Sequence, residues 1–212
     1  MQCPLCRTHT NRWYFEDDKR SYKRCDCCNL VFVPAAYHVS PEREKAEYDL
    51  HQNNPQDPGY RRFLSRLMTP MAAKVPSPAN GLDFGCGPGP TLSLMFAEAG
   101  YSMEIYDKFY ANDQRVLCQR YDFITCTEVV EHLSHPGQTL AALYALLNAG
   151  GWLGIMTKLA QDQAAFAKWH YKNDVTHIAF FSRDTFSWLA RHWGCYLEFV
   201  GKDVIFLQKP QG

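Results

Sequence analysis

One stretch constrains this chain more than any other: Leu82-Asp83-Phe84-Gly85-Cys86-Gly87-Pro88-Gly89-Pro90. A short apolar run, Gly81 to Phe84, leads into it. A helical pattern from Thr91 to Ala99, closed by Gly100, leads out. A strand that hands over to a helix through glycines puts its turn at the carboxyl end of a parallel strand, where open α/β sheets bind ligands. Bare backbone there lets a ligand approach that a side chain would hold off. The spacing narrows the ligand. A dinucleotide loop needs its third glycine at position 90, which is Pro90, and a phosphate-gripping loop needs Gly-Lys-Ser/Thr, which is absent. Pro88 and Pro90 also remove two backbone N–H donors, which does not suit pyrophosphate. Asp83, two residues before the first glycine, suits a cationic ligand better than an anionic one.

The rest of the chain reads as alternating elements. Strands are expected at Ser102 to Tyr106, Tyr121 to Cys126 and Trp152 to Thr157. A helix starts near Pro136 and stops at the Gly150–Gly151 pair, and Ser182 caps another from Arg183 to His192. Cys195 to Val200 and Asp203 to Gln208, separated by Gly201–Lys202, read as a terminal hairpin. This alternation predicts a doubly wound, mostly parallel α/β sheet with an antiparallel strand near the C-terminus. Residues 37–78 read as two helical pieces broken at 53–59. The second carries Phe63, Leu64, Leu67, Met68 and Met71 on one face, with Pro70 expected to kink or interrupt it.

Five of the nine cysteines lie in the first 28 residues. Cys3-Pro4-Leu5-Cys6 and Cys25-Asp26-Cys27-Cys28 give two C-x2-C knuckles. Each points two thiolates at one centre, so Cys3, Cys6, Cys25 and Cys28 form a four-sulfur set suited to a structural Zn²⁺. Cys27 could replace Cys25; the repeat of the knuckle spacing favours Cys25. Unpaired numbers and clustering at one end fit a metal site in a reducing compartment rather than a disulfide framework.

With these motifs in view, the chain resembles the class I S-adenosylmethionine-dependent methyltransferases. The resemblance rests on Asp83-Phe84-Gly85-Cys86-Gly87-Pro88-Gly89 and on Asp107 closing the second strand. It rests also on Tyr121 to Leu133, which reads YDFITCTEVVEHL, and on Leu147-Asn148-Ala149-Gly150-Gly151. It covers about residues 79–209 and implies a Rossmann-like fold. It further implies cofactor contacts from Asp83, Gly85, Cys86, Gly87, Thr127 and Glu128, with Asp107 on the ribose hydroxyls. Only 13 residues separate Asp107 from Tyr121, too few for the family's usual helix and strand. A missing or shrunken helix is expected there, with Arg115 to Cys118 as a remnant strand and Lys108, Leu117 and Cys118 as adenine contacts by position. The N-terminal segment resembles the zinc ribbon that precedes some small-molecule and sugar C-methyltransferases. The domains are then a zinc ribbon at 1–36, a helical linker or lid at 37–78 and a methyltransferase domain at 79–212.

Methyl transfer asks the protein to align an acceptor and, for an oxygen or carbon acid, to take a proton. Two clusters follow the fourth and fifth strands. Glu131 and His132 are in the first. The second, Trp169 to His177, offers His170 and His177 as base or substrate ligand and Asp174 to fix a tautomer. A metal on His132, His170 or His177 has no diagnostic spacing behind it. Thr127-Glu128-Val129-Val130 is not the Asn/Asp-Pro-Pro-Tyr/Phe of base amino methylation. Cys126 lacks the basic surroundings of a nucleophile.

Composition excludes several other classes. Lys plus Arg equals Asp plus Glu at 22 each, which argues against a nucleic-acid coat or a polybasic membrane binder. No stretch approaches the ~18 apolar residues that span a bilayer, and the N-terminus lacks a signal-peptide layout. The expectation is a cytoplasmic enzyme with a small-molecule acceptor, methylated on oxygen or carbon. Two alternatives stand beside it. One is an RNA-modifying enzyme that docks nucleic acid through the ribbon and the cations Arg61, Arg62, Arg66 and Lys74. The other is a catalytically silent cofactor-binding module.

Overall fold

The computed structural model describes residues 1–50 and 53–212. Its main sheet has six strands: β4 (Asn80–Phe84), β5 (Ser102–Tyr106), β6 (Tyr121–Thr127), β7 (Leu147–Met156), β9 (Tyr196–Val200) and β10 (Val204–Gln208). They lie in the order β5-β4-β6-β7-β10-β9. The first four are parallel, and β10 runs antiparallel to both β7 and β9. The expected Rossmann-like sheet with one antiparallel strand is therefore present.

Side-chain alternation splits each central strand between two cores. Ile124, Cys126, Leu153, Ile155, Ile205 and Leu207 face α4 (Pro136–Leu146) and α6 (Arg183–Trp193). Phe123, Trp152, Met156, Val204 and Phe206 face α2 (Pro58–Lys74) and α3 (Thr91–Glu98). Gly154 permits the close approach of α2: a Cβ there would lie 2.7 Å from Met71 Cε.

Several local expectations change. Helix α2 runs unbroken through Pro70. Leu67 and Met71, on either side of it, are fully buried against the sheet, and that packing outweighs the ~3 kcal/mol a mid-helix proline costs. Helix α4 ends at Leu146, earlier than the glycine pair, because Leu147 is buried and pairs with Tyr121 as part of β7. The remnant strand at 115–118 is instead a short 3₁₀ turn, Gln114–Cys118, capped by the Asp113 carboxylate. Ser182 and Thr185 form the reciprocal cap expected of α6.

The N-terminal strands β1 (Asn11–Glu16), β2 (Ser21–Cys25) and β3 (Val31–Phe32) form a second sheet. Its fourth strand, β8 (Ala179–Phe180), comes from the far end of the chain. Tyr22, Val31, Tyr171, Ile178 and Phe180 share one core across that junction with Phe166 of the short helix α5 (Gln163–Ala167). The buried Arg20 guanidinium donates to the carbonyls of Lys172, Asp174 and Val175 and to Tyr22 Oη. The segment before β8 is thereby held by the ribbon. Helix α1 (Pro41–Tyr48) and the chain at Asn53 lie over the carboxyl ends of β4 and β5. Among the described residues no helix is long and apolar enough to cross a membrane.

Candidate active site

The glycine loop is built by its neighbours. Gly85 and Gly87 have φ of +78° and +65°, a region that penalises a Cβ. A Cβ on Gly85 would also lie 2.4 Å from Val129 Cγ2. The N–H groups of Gly85 and Cys86 donate to Tyr106 O at 2.7 and 3.2 Å, which ties the loop to the end of β5. Gly87 N–H donates to Asp107 Oδ2 at 3.1 Å, while Asp107 Oδ1 accepts from Phe109 and Tyr110 N–H at 2.8 and 3.2 Å. Three backbone donors thus fix the carboxylate beside the loop. At Gly89 a Cβ would sit 2.2 Å from Asn53 O, so the third glycine is where the covering segment crosses the loop.

A cavity of about 390 Å³ opens over this loop, within the range of small-ligand sites. Phe84 and Tyr106, stacked at 5.2 Å, form one wall, and Tyr48, Tyr60 and Phe63 form the cover. Glu44, Asp107, Glu128 and Asp174 also line it; Lys108 does too, but it is paired with Glu44 at 2.6 Å. This acidic lining suits a cationic ligand. Thr127 lines the cavity as well, and its buried Oγ1 has no hydrogen-bond partner among the described residues. A polar ligand would satisfy it. Bare glycines, an acid fixed beside them at Asp107 and an acidic wall together fit a sulfonium nucleoside.

Beyond the loop lies a connected polar cluster. Tyr171 Oη donates to Glu131 Oε1 and lies 3.3 Å from Glu128 Oε2, while Thr157 Oγ1 donates to Glu131 Oε2 at 3.0 Å. Glu131 is fully buried. Burial, with the charge of Glu128 behind it, pushes its carboxyl up to about 8. Burial also raises Glu128, whose backbone sits at φ +50°, an uncommon position for a non-glycine residue at a site. The rings of His132 and His177 are 4.6 Å apart. Burial holds His177 below its ordinary value, so its imidazole is neutral at pH 7.

The structure gathers most of the expected residues and leaves five, Asp83, Leu117, Cys118, Glu131 and His170, outside the cavity wall. Gly85, Cys86, Gly87, Asp107, Lys108, Thr127, Glu128, His132, Asp174 and His177 all line the cavity, and Glu131 lies directly behind it. Asp83 does not reach the wall. It is buried beneath the loop and accepts from Thr125 Oγ1 at 2.8 Å. Leu117 and Cys118 are also absent from the wall, because the 3₁₀ turn carries them away and leaves Cys118 exposed. His170 is exposed, 3.4 Å from Lys158 Nζ and outside the lining. Asp174 does not fix the His177 tautomer. Tyr171 O does so, by accepting from Nδ1 at 2.7 Å, and Asp174 Oδ2 faces Nε2 at 3.6 Å. Cys86 lines the cavity, but burial pushes its thiol up to about 12, which makes it a contact and not a nucleophile. Sequence reading missed Tyr48, Tyr60, Phe63 and Asn53 as cavity walls. Their only signal was a place in the segment that precedes the glycine loop.

The N-terminal thiols converge. Cys3, Cys6, Cys25 and Cys28 offer sulfurs all within 4.8 Å of one another, with Cys3–Cys28 at 3.6 Å and Cys6–Cys25 at 3.4 Å. A tetrahedral Zn²⁺ at ~2.3 Å from each sulfur needs edges of about 3.8 Å, so this donor set fits zinc. Cys27 is exposed and outside the set. The Cys3–Cys6 knuckle rests on the start of α4, where Gly137 N–H donates to Pro4 O at 3.2 Å and a Cβ on Gly137 would meet Leu5 O at 2.1 Å.

Comparison with known proteins agrees with this geometry. Residues 57–198 match a family model described as a methyltransferase domain. A ubiquinone biosynthesis O-methyltransferase of Pseudomonas savastanoi pv. phaseolicola is 33% identical over 90 residues, 42% of this chain and 37% of that protein. One from Yersinia pestis is 28% identical over 85 residues, 40% and 35% of the two chains. The matches thus span little more than a third of those relatives. Among solved structures, the 1,6-didemethyltoxoflavin N1-methyltransferase of Burkholderia thailandensis, bound to its substrate and S-adenosylhomocysteine, superposes with TM-score 0.58 at 16% identity. The match covers 94% of this chain and 99% of that one. The magnesium protoporphyrin IX methyltransferase of Synechocystis PCC 6803, with bound S-adenosylhomocysteine, gives 0.53 at 15% identity over 79% and 93%. The family match over two thirds of the chain, on a fold carrying the glycine loop and its acid partner, places this protein in the class I S-adenosylmethionine-dependent methyltransferases.

Proposed function

We propose that this enzyme methylates an oxygen or carbon atom of a small molecule. Residues 1–36 would form a zinc-bearing ribbon, 37–78 a covering segment and 79–212 the catalytic domain. The observation that carries the reading is the polar part of the cavity. Glu128, His132, Asp174 and His177 line it opposite the glycine loop, beneath a cover of Tyr48, Tyr60 and Phe63. A pocket of about 390 Å³ suits a small acceptor beside the cofactor. The cationic face offered by α2 is also largely spent in ion pairs: Arg61 with Glu98, Arg66 with Asp203 and Lys74 with Glu198. That weakens the RNA alternative.

When bound, S-adenosylmethionine supplies an electrophilic methyl group on a sulfonium. In this reading Gly85, Cys86 and Gly87 cradle the cofactor with main chain, and Asp107 accepts from its ribose hydroxyls. Lys108, Thr127 and Glu128 complete the contacts, and Asp83 supports the loop from beneath. The acidic wall favours a positively charged ligand over its neutral product. His177, neutral with its lone pair on Nε2, is the group suited to take an acceptor proton. Asp174 holds negative charge beside it, Glu131 is tied in through Tyr171 and Thr157, and the aromatic cover excludes water.

Calorimetry with S-adenosylmethionine and S-adenosylhomocysteine tests the cofactor half; no binding below millimolar would reject it. Release of S-adenosylhomocysteine across phenol, enol and sugar acceptors tests the substrate half. Activity confined to RNA would overturn it, and binding without turnover on any acceptor would favour the silent module.

A further inference from the structure

A second cavity, of about 560 Å³, lies between the ribbon and the methyltransferase domain, within the range of small-ligand sites. Its floor is apolar: Phe32, Val33 and Ile178 are buried there. Arg7, His38 and His135 stand in its wall, and no Asp or Glu does. The side chains of Arg7 and His135 have no hydrogen bond or ion pair among the described residues. His38 is fixed by Nε2, which donates to Val33 O at 3.0 Å. The fully buried Cys3 also borders this groove, with its sulfur turned to Cys28 at 3.6 Å. An arginine keeps its charge at any ordinary pH, so the groove holds a fixed cation with no carboxylate to neutralise it. The cofactor cavity is the reverse, with Glu44, Asp107, Glu128 and Asp174 in its wall.

The two cavities are neighbours. Leu133 lines both, and His177 lines the cofactor cavity while the next residue, Ile178, lines the groove. Ile178 is held from both sides: its N–H donates to Glu131 O at 2.8 Å and its carbonyl accepts from Val33 N–H at 2.9 Å. The ribbon thus builds the outer wall of a groove that begins one residue from the proposed base. We propose that this groove takes the anionic end, a phosphate or carboxylate, of the acceptor whose reacting atom lies beside His177. This rests on the small-molecule reading and narrows it to a class of acceptor. A guanidinium pairs with either anion through two N–H groups, and the apolar floor takes the carbon skeleton next to it. The acidic wall of the cofactor cavity repels the same anion. Charge therefore orients the acceptor, with its anion toward the ribbon and its neutral reacting end toward the sulfonium.

Calorimetry of the zinc-loaded full-length protein with phenyl phosphate and benzoate, against benzyl alcohol and benzylammonium, tests the groove. S-adenosylhomocysteine is kept bound throughout, so that the cofactor's own place is filled. At least one anion should bind, and both controls should bind at least about tenfold more weakly. Arg7→Gln should weaken that anion at least about tenfold and His135→Ala about threefold. Zinc content and S-adenosylhomocysteine affinity should stay unchanged, which separates a ligand-binding Arg7 from one that balances the thiolates. If Arg7→Gln loses zinc, His135→Ala decides by the same criterion. Equal binding of benzyl alcohol, or an anion affinity unchanged in a zinc-retaining variant, would overturn the site. Methyl transfer to matched acceptors with and without a terminal phosphate or carboxylate reads the source of the anion. KM should be at least about tenfold lower for the anionic member, and Arg7→Gln should erase the difference. Equal KM values beside a phenyl phosphate site would mean a separate anionic ligand and would overturn the assignment to the acceptor. Turnover on no small acceptor would strike the small-molecule reading and that assignment together, while the direct titration still decides the groove itself.

Discussion

Asp83 is fully buried beneath the glycine loop. Desolvation, with a smaller push from the charge of Asp107, raises its carboxyl from 3.8 to about 6, against the hydrogen bond from Thr125. A carboxyl raised in the folded state stabilises the protein fully below its unfolded value and loses that contribution as pH rises through the folded one. The full cost of ionising it in the fold is then about 3 kcal/mol. Integrated over the accessible range, wild type should lose roughly 2 kcal/mol from this one group between pH 4 and pH 7. Asp83→Asn keeps the acceptor for Thr125 Oγ1 and removes the titration. Urea unfolding of both proteins, followed by tryptophan fluorescence across that range, gives the difference in stability at each pH. Other groups that titrate in the same window, Glu131 among them, are common to both proteins and cancel in the difference. Any fixed cost of burying an amide is independent of pH. The Asp83→Asn variant should therefore gain on wild type by roughly 2 kcal/mol from pH 4 to pH 7. A difference that stays flat to within about 0.5 kcal/mol, the scale of extrapolation error, would refute the placement of a desolvated carboxylate under the loop.

Gly85→Ala places a Cβ at φ +78° and 2.4 Å from Val129. It should lower the melting temperature by several degrees, about 1–3 kcal/mol, and abolish S-adenosylhomocysteine binding in calorimetry. Asp107→Ala removes the acceptor for three backbone N–H groups; cofactor affinity should fall at least tenfold, and an unchanged Kd would contradict its role. Arg20→Met leaves the carbonyls of Lys172, Asp174 and Val175 without their donor. Destabilisation of at least about 2 kcal/mol is expected, with faster hydrogen exchange at 171–178 and no change in α3 beyond the global shift. Removal of metal by a strong chelator should unfold the ribbon and, through β8, loosen the same segment; unchanged exchange at 171–178 in zinc-free protein would argue against the coupling.

Much of the molecule could be read from local pattern. The strand–glycine–helix handover at 81–91, the acid at the end of the next strand and the Ser182 cap are all set by neighbours within a few residues. The two C-x2-C knuckles likewise define the sulfur set before folding. Leu117, Cys118 and His170 were misplaced because their positions depend on how a shortened connection bends, which no periodicity encodes. The 3₁₀ turn at 114–118 and the 3₁₀ turn at His170–Asn173 decide it.

What the sequence alone determined is the chemistry of the cavity mouth and the ribbon: bare backbone, a following acid and four convergent thiols. These rest on residue type and short spacing. Only the tertiary structure decided that β8 completes the ribbon sheet, that Arg20 holds the carbonyls of residues more than 150 positions away, and that Glu131 and His132 meet His177. Such long-range pairings are selected by the burial of Tyr22, Phe166, Tyr171 and Phe180 in one shared core. A contact made by packing across that distance leaves no spacing in the chain to be read.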